Sequence, residues 1–130
     1  MKAVIIMGST ADQKFVKKIT SELGTYSIPF SEHVASAHKD PLKVLEIIKS
    51  NSGEGPLVYI TVAGRSNALS GFVAANSKFP VVACPPFSDK LDMIVNIQST
   101  LQMPSKTPVL TVIDPKNCAL AVRRIFNLIN

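Results

Sequence analysis

The feature that most limits what this chain can fold into is an alternation. Five short apolar runs, rich in β-branched residues, are each followed by a stretch with apolar residues at helical spacing. The runs are "KAVIIM" (2–7), "IPFSEHVAS" (28–36), "PLVYITVA" (56–63), "PVVAC" (80–84) and "VLTVI" (109–113). The first helical stretch puts Phe15, Val16, Ile19 and Leu23 on one face, with Gly24 as its stop signal. The second opens on Asp40 and Pro41, a cap followed by a first-turn proline. It carries Leu42, Leu45 and Ile48 on one face, with Val44 and Ile47 beside them. A short helix over 66–76 is expected to bury Leu69, Phe72 and Val73, and one over 88–101 to pack through Leu91, Ile94 and Val95. Asp114 and Pro115 then open a last helix with the stripe Cys118, Ala121, Val122, Ile125 and Ile129. In the second strand Phe30 and Val34 face one way and Ser31 and His33 the other, which predicts a half-exposed strand. The run at 56–63 is the most continuously apolar of the five, as a central parallel strand should be.

Strands that alternate with helices at this spacing predict an α/β fold with right-handed crossovers. The expected form is a three-layer αβα sandwich on a flavodoxin-like parallel five-stranded sheet of order 2-1-3-4-5. At 130 residues and 46% hydrophobic, one domain spanning 1–130 is expected. A domain of this size buries roughly two thirds of its unfolded surface and needs no covalent staple. Cys84 and Cys118 lack metal-ligand spacing and read as packing residues, and no metal site is visible. The apolar N-terminal stretch is too short for a signal peptide or a membrane span, so a reducing, cytoplasmic setting without membrane contact is expected. The formal net charge of +5 is dispersed, and the aromatics are not interleaved with basic residues. This reads as a solvated surface rather than a nucleic-acid interface.

In this topology ligands sit beyond the carboxyl ends of the strands, beside the switch point between strands 1 and 3. Four loops lead there: "GSTAD" (8–12), "SAHKD" (36–40), "AGRSNALSG" (63–71) and "CPPFSD" (84–89). Gly8 and Ser9 allow a sharp turn that leaves backbone N–H groups and a hydroxyl facing a phosphate at a helix N-terminus. Ser9 and Asp12 also fit a capping box, and both roles can hold at once; Asp12 alternatively accepts hydrogen bonds from ribose hydroxyls. Ser36 and Lys39 offer a hydroxyl and a cation to complete a phosphate pocket, unless Lys39 is a solvated loop lysine. His38 is the one side chain of these loops whose type ordinarily titrates near neutrality, which suits proton transfer; a lone loop histidine is otherwise structural or simply exposed. His33, on a strand face, is the weaker candidate. Gly64 lets a ligand approach the central strand, and Arg65, Ser66 and Asn67 set donors around the next helix, an arrangement suited to a carboxylate or a CO2 oxygen. A helix cap would explain Ser66 or Asn67, but hardly the whole run.

These loops resemble one family: the phosphoribosylaminoimidazole carboxylases of purine biosynthesis, known as PurE. The likeness runs through "MGSTAD", "SAHKDP", "AGRSNALSG", "PVVACPP", "STLQMPS" and "DPKNCALAVRRIF". Within it, "SAHK" with "AGRSN" and "CPP" looks like class II, which carboxylates 5-aminoimidazole ribonucleotide (AIR) with CO2 directly to 4-carboxy-AIR (CAIR). Class I enzymes typically carry "SAHRTP" and "AGGAAHLPG" and rearrange N5-carboxy-AIR. The resemblance implies that Ser9, Ser36 and Lys39 hold the 5'-phosphate beside Gly8 and that Asp12 takes the ribose hydroxyls. It further implies that His38 moves the C4 proton and that the segment Gly64, Arg65, Ser66 and Asn67 lines the carboxylate pocket. It implies no cofactor, and a homo-octamer with sites near subunit boundaries.

The chain departs from the family at three places. Ala11 stands where serine is usual, Lys106 stands where the "MPSG" loop has glycine, and the C-terminal end is short, stopping where relatives usually continue into a further helix. An N5-carboxy-AIR mutase and a catalytically idle nucleotide binder are the alternatives within the family. A phosphoacceptor signalling domain shares the sheet but needs an acidic cluster where this chain has Met7-Gly8 and Ala63-Gly64. A flavin carrier would need an aromatic pair that the later loops do not offer.

Overall fold

The computed structural model describes residues 1–130. Its elements in chain order are β1 (Lys2–Met7), α1 (Gln13–Thr25), β2 (Phe30–Val34), α2 (Pro41–Asn51), β3 (Leu57–Val62), α3 (Ala68–Asn76), β4 (Val81–Ala83), α4 (Lys90–Leu101), β5 (Leu110–Thr111) and α5 (Pro115–Asn127). All five strands form one parallel sheet in the order β2-β1-β3-β4-β5, the flavodoxin-like arrangement expected from the alternation. No helix is long and apolar enough to cross a membrane.

β1 and β3 are buried almost end to end because each has strands on both sides and helices on both faces. Their side chains alternate between two separate cores. Ala3, Ile5, Met7, Val58, Ile60 and Val62 join the stripe Phe15, Val16, Ile19 and Leu23 of α1 and Cys118, Ala119, Val122 and Phe126 of α5. On the other face Val4, Ile6, Leu57 and Tyr59 meet Val44, Ile47 and Ile48 of α2 and Leu69, Val73 and Ala74 of α3. Cys84 and Cys118 are both free thiols inside the first core. The neighbouring Cys118 thiol, and then burial, push the Cys84 thiol well above its ordinary range, so it packs rather than attacks.

Several expectations about faces are corrected. Phe30 is 41% exposed because β2 is an edge strand, and Leu42 is 77% exposed because α2 packs through Val44, Ile47 and Ile48. Phe72 is only half-buried against the second core, and Ile129 lies beyond the end of α5, exposed. β5 is two residues long instead of five, and Gly24 falls within the last turn of α1. The largest departure is α4. Leu91, Ile94 and Val95 are 72%, 51% and 38% exposed, while Asn96 and Thr100 are buried. Neither core contains a residue of this helix.

Candidate active site

In-register pairing brings the carboxyl ends of three strands level: Met7 sits opposite Val34 of β2 and Val62 of β3. The backbone continues the pairing one residue further, with Gly8 N–H donating to the Val62 carbonyl at 3.0 Å and Ala35 N–H to the Met7 carbonyl at 2.9 Å. The loops after β1, β2 and β3 therefore leave the sheet side by side. They enclose a cavity of about 310 Å3, lined by Gly8, Ser9, Asp12, Ser36, Ala37, His38, Lys39, Ala63, Gly64, Arg65, Ser66 and Leu69. Nine of the ten residues singled out in the sequence are in that lining. Its volume lies at the lower end of the roughly 300–1,000 Å3 of small-ligand sites.

Each loop is shaped by short-range bonds that its sequence dictates. Ser9 caps the single 3₁₀ turn Thr10–Asp12, its Oγ accepting from Ala11 N–H at 3.1 Å. Asp12 makes no reciprocal side-chain cap bond, so only half of the capping box forms and the carboxylate faces the cavity. Burial pushes the Asp12 carboxyl above its usual range. After β2, Ser36 closes a turn over 37–39: Asp40 N–H donates to the Ser36 carbonyl at 2.8 Å and Lys39 N–H to Ser36 Oγ at 3.2 Å. That turn projects His38 and Lys39, both exposed, to the cavity, and Asp40 then caps α2 through Lys43 N–H. Ser9 and Ser36 each accept a backbone N–H, which leaves each hydroxyl proton free to donate to an anion. Neither Gly8 nor Gly64 has a positive φ, and a Cβ at either would meet its neighbours at ordinary contact distances. These glycines are therefore not forced by the backbone or by crowding.

Asn67 is the exception among the ten. It is 5% exposed, with its side chain turned inward beneath α3. Its Oδ1 accepts from Ser70 N–H at 3.1 Å, capping α3, and its Nδ2 donates to Thr100 Oγ1 at 3.0 Å. Ser70 Oγ in turn bonds Thr61 Oγ1 of β3 at 2.7 Å. A buried amide must satisfy its donors within the protein, and here it does so at the expense of any ligand. His33 also lies outside the cavity, half-buried near Ser31, its imidazole held below its ordinary pKa by burial and then by the charges of Lys2 and Lys43.

The fourth loop, expected at the same site, lines a second cavity of about 420 Å3 next door. Pro86, Phe87, Ser88, Asp92 and Asn96 face Lys14, Phe15 and Lys18 there, and Asp12, Gly64 and Arg65 form the wall common to both cavities. Arg65 Nη2 donates to Asp92 Oδ1 at 3.0 Å, an ion pair across 27 positions of sequence for which periodicity gives no signal. Asp92 reads locally as an acidic first-turn residue, its N–H donating to the capping carboxylate of Asp89 at 2.8 Å. The Ser88 backbone N–H, with smaller help from the Ser88 hydroxyl and Arg65, holds the Asp92 carboxyl below the usual carboxylate range. Asn96 donates to the Pro86 carbonyl at 2.6 Å, and its Oδ1 is buried without a partner.

The AIR carboxylase family model matches residues 2–130. A phosphoribosylaminoimidazole carboxylase of Archaeoglobus fulgidus is 53% identical over 128 residues, covering 98% of this chain and 70% of that protein. One from Treponema denticola is 44% identical over 126 residues, 96% of this chain and 79% of that protein. The human bifunctional phosphoribosylaminoimidazole carboxylase/phosphoribosylaminoimidazole succinocarboxamide synthetase is 37% identical, with the chain matching 30% of its length. The crystal structure of Treponema denticola PurE superposes with a TM-score of 0.92 at 43% identity, covering 98% of this chain and 81% of that one.

Proposed function

Because the chain belongs to the AIR carboxylase family, we propose that it joins CO2 directly to C4 of AIR, giving CAIR, with His38 as the group that moves the proton. It is an enzyme of purine biosynthesis that carboxylates AIR. The observation that carries the residue-level reading is the convergence of Ser9, Asp12, Ser36, His38, Lys39 and Gly64 to Ser66 on one cavity.

The two free hydroxyl protons of Ser9 and Ser36, with the Lys39 ammonium, suit a 5'-phosphate, and the Asp12 carboxylate suits the ribose hydroxyls. That anchoring leaves the imidazole ring toward His38 and the 64–66 segment. The electron-rich aminoimidazole supplies the nucleophile: the C4 electron pair forms the new bond to the CO2 carbon, and one C–O π pair moves onto oxygen. The positive charge of Arg65 and the donors of the 64–66 backbone favour the carboxylate that develops. His38 then accepts the C4 proton, restoring the aromatic ring, and releases it to solvent; in reverse it protonates C4 before CO2 leaves. What the protein supplies is alignment, desolvation and one proton acceptor.

The reading extends to a single carboxylase domain over 1–130, a cytoplasmic setting and self-association into the family's homo-octamer. The exposed Leu91, Ile94, Val95 and Leu101 of α4 support assembly, since a contiguous apolar face on a helix is usually covered. The test is conversion of AIR with bicarbonate in the absence of ATP, followed by the ultraviolet absorbance of CAIR, with N5-carboxy-AIR assayed in parallel. Turnover of AIR with CO2 supports the reading; turnover of N5-carboxy-AIR alone would make the chain a mutase, and silence on both an idle binder.

A further inference from the structure

α4 meets the site through polar residues, and they fall one turn apart on its inward side. Asp92 bonds Arg65, Asn96 lies about one van der Waals contact from the Cβ position of Gly64, Ser99 Oγ accepts from Asn67 N–H at 2.9 Å, and Thr100 Oγ1 accepts from Asn67 Nδ2. Asp92, Ser99 and Thr100 thus bond the segment 64–67, and Asn96 sits beside Gly64. Only one of these contacts reaches a charged group on the cavity wall. The Arg65 side chain is 67% exposed, while Asp92 is 21% exposed. Asp92 Oδ2 accepts from Ser88 N–H at 2.9 Å and Ser88 Oγ at 3.3 Å, which fixes the carboxylate and aims Oδ1 at the guanidinium.

We propose that Asp92 is a positioning residue for the carboxylation: it holds the Arg65 guanidinium at the wall between the two cavities, where its charge bears on the carboxylate formed at C4. The proposal rests on the carboxylase reading for its chemistry. An arginine this exposed otherwise samples many rotamers, and the ordering would have to be met anew in each turnover. Asp92 meets it in the folded state. Since the 5'-phosphate is assigned to the opposite side of the cavity, the effect falls on the rate and not on binding of the nucleotide.

The test is a double-mutant cycle on the full chain, with Asp92→Asn, Arg65→Ala and the pair, combined with NMR relaxation of the Arg65 Nε–H. Asp92→Asn keeps the shape and the Ser88 bonds while removing the charge. Expected are a kcat lower by about fivefold to tenfold with KM for AIR within about twofold, and a less than twofold further change when Asp92→Asn is added to Arg65→Ala. Asp92→Glu, which restores the charge, is expected to recover part of kcat, and it serves if the Asn variant does not fold. The Arg65 Nε–H is expected to be ordered in the wild type and mobile in Asp92→Asn. A full Asp92→Asn effect that persists without Arg65 would overturn the proposal, as would equal Arg65 order in the two proteins. The NMR arm needs no turnover. Arg65 order lost on Asp92→Asn in a chain inactive toward AIR would therefore sustain the positioning and reject the carboxylase reading.

Discussion

α4 and α5 are alike locally and opposite in their packing. Both open on an aspartate cap, Asp89 accepting from Asp92 N–H and Asp114 from Asn117 N–H, each at 2.8 Å. Both carry apolar residues at helical spacing. In α5 that stripe is the buried one, with Cys118, Val122 and Phe126 in the first core. In α4 it faces outward, apart from the half-buried Met93 and Ile97, and the polar row is what the helix buries. The reason lies in what each helix meets. α5 covers apolar strands and α1, whereas α4 lies against the 64–67 segment, whose Asn67 amide and Arg65 cation need polar partners. Hydrophobic periodicity identifies an apolar face of a helix, but not whether the chain's own core covers it.

The largest expected effect comes from breaking the α5 half of this comparison. Phe126→Ala should cost about 3–5 kcal/mol in denaturant unfolding, the toll of a large core cavity. Ile94→Ala on the outer face of α4 should change the same unfolding free energy of the isolated chain by no more than about 0.5 kcal/mol. Its consequence is expected in light scattering, as weaker assembly. A large loss of unfolding free energy in the dissociated Ile94 variant would mean that α4 packs as its pattern first suggests.

Next in size is the polar face. Thr100→Val preserves shape and removes the Thr100 acceptor of the buried Asn67 amide, so a loss of about 1–3 kcal/mol is expected in the same titration, together with a lower kcat. A neutral result would mean that the Asn67 amide finds another partner. Asp114→Ala and Asp89→Ala should then each cost about 1 kcal/mol, since the two caps are geometrically alike. Only Asp89→Ala should also lower kcat, because Asp92 N–H donates to it; equal kinetics would separate the cap from the site.

The smallest effect has the opposite sign. The chain leaving α4 places Lys106 at φ 62°, in the left-handed region that glycine tolerates best. The backbone is therefore the one a glycine would take, although a lysine occupies it. Lys106→Gly is expected to raise stability, by up to about 1 kcal/mol after glycine's greater unfolded-state entropy offsets part of the relief, seen as a higher Tm. A fall in Tm would mean that the lysine side chain contributes more than its backbone strain costs.

The same physics sets how much could be read in advance. The sheet order and the buried strands were legible because β1 and β3 are apolar at all but one position each, Lys2 and Thr61, and each crossover is helical. The three loops of the cavity were legible because a parallel sheet delivers them to one edge. What escaped depends on partners far apart in sequence. Arg65 and Asp92 are 27 positions apart, Asn67 and Thr100 are 33, and no local pattern links either pair. Asn67 could not be told from a ligand-facing donor, since its capping of Ser70 fits both readings and only its burial decides. Phe30 alternates correctly for a half-buried strand, yet β2 lies at the sheet edge, where the phenyl ring stays open.

The most direct test of the proposed chemistry is steady-state turnover of AIR with saturating bicarbonate by His38→Asn beside the wild type, with AIR affinity measured on both. A proton acceptor at this position typically contributes 10²–10⁴ in rate, so kcat should fall by at least about 100-fold while AIR binding changes by no more than about threefold. A variant that keeps more than about a tenth of the wild-type rate would contradict the assignment, and the proton would have to leave C4 by another route.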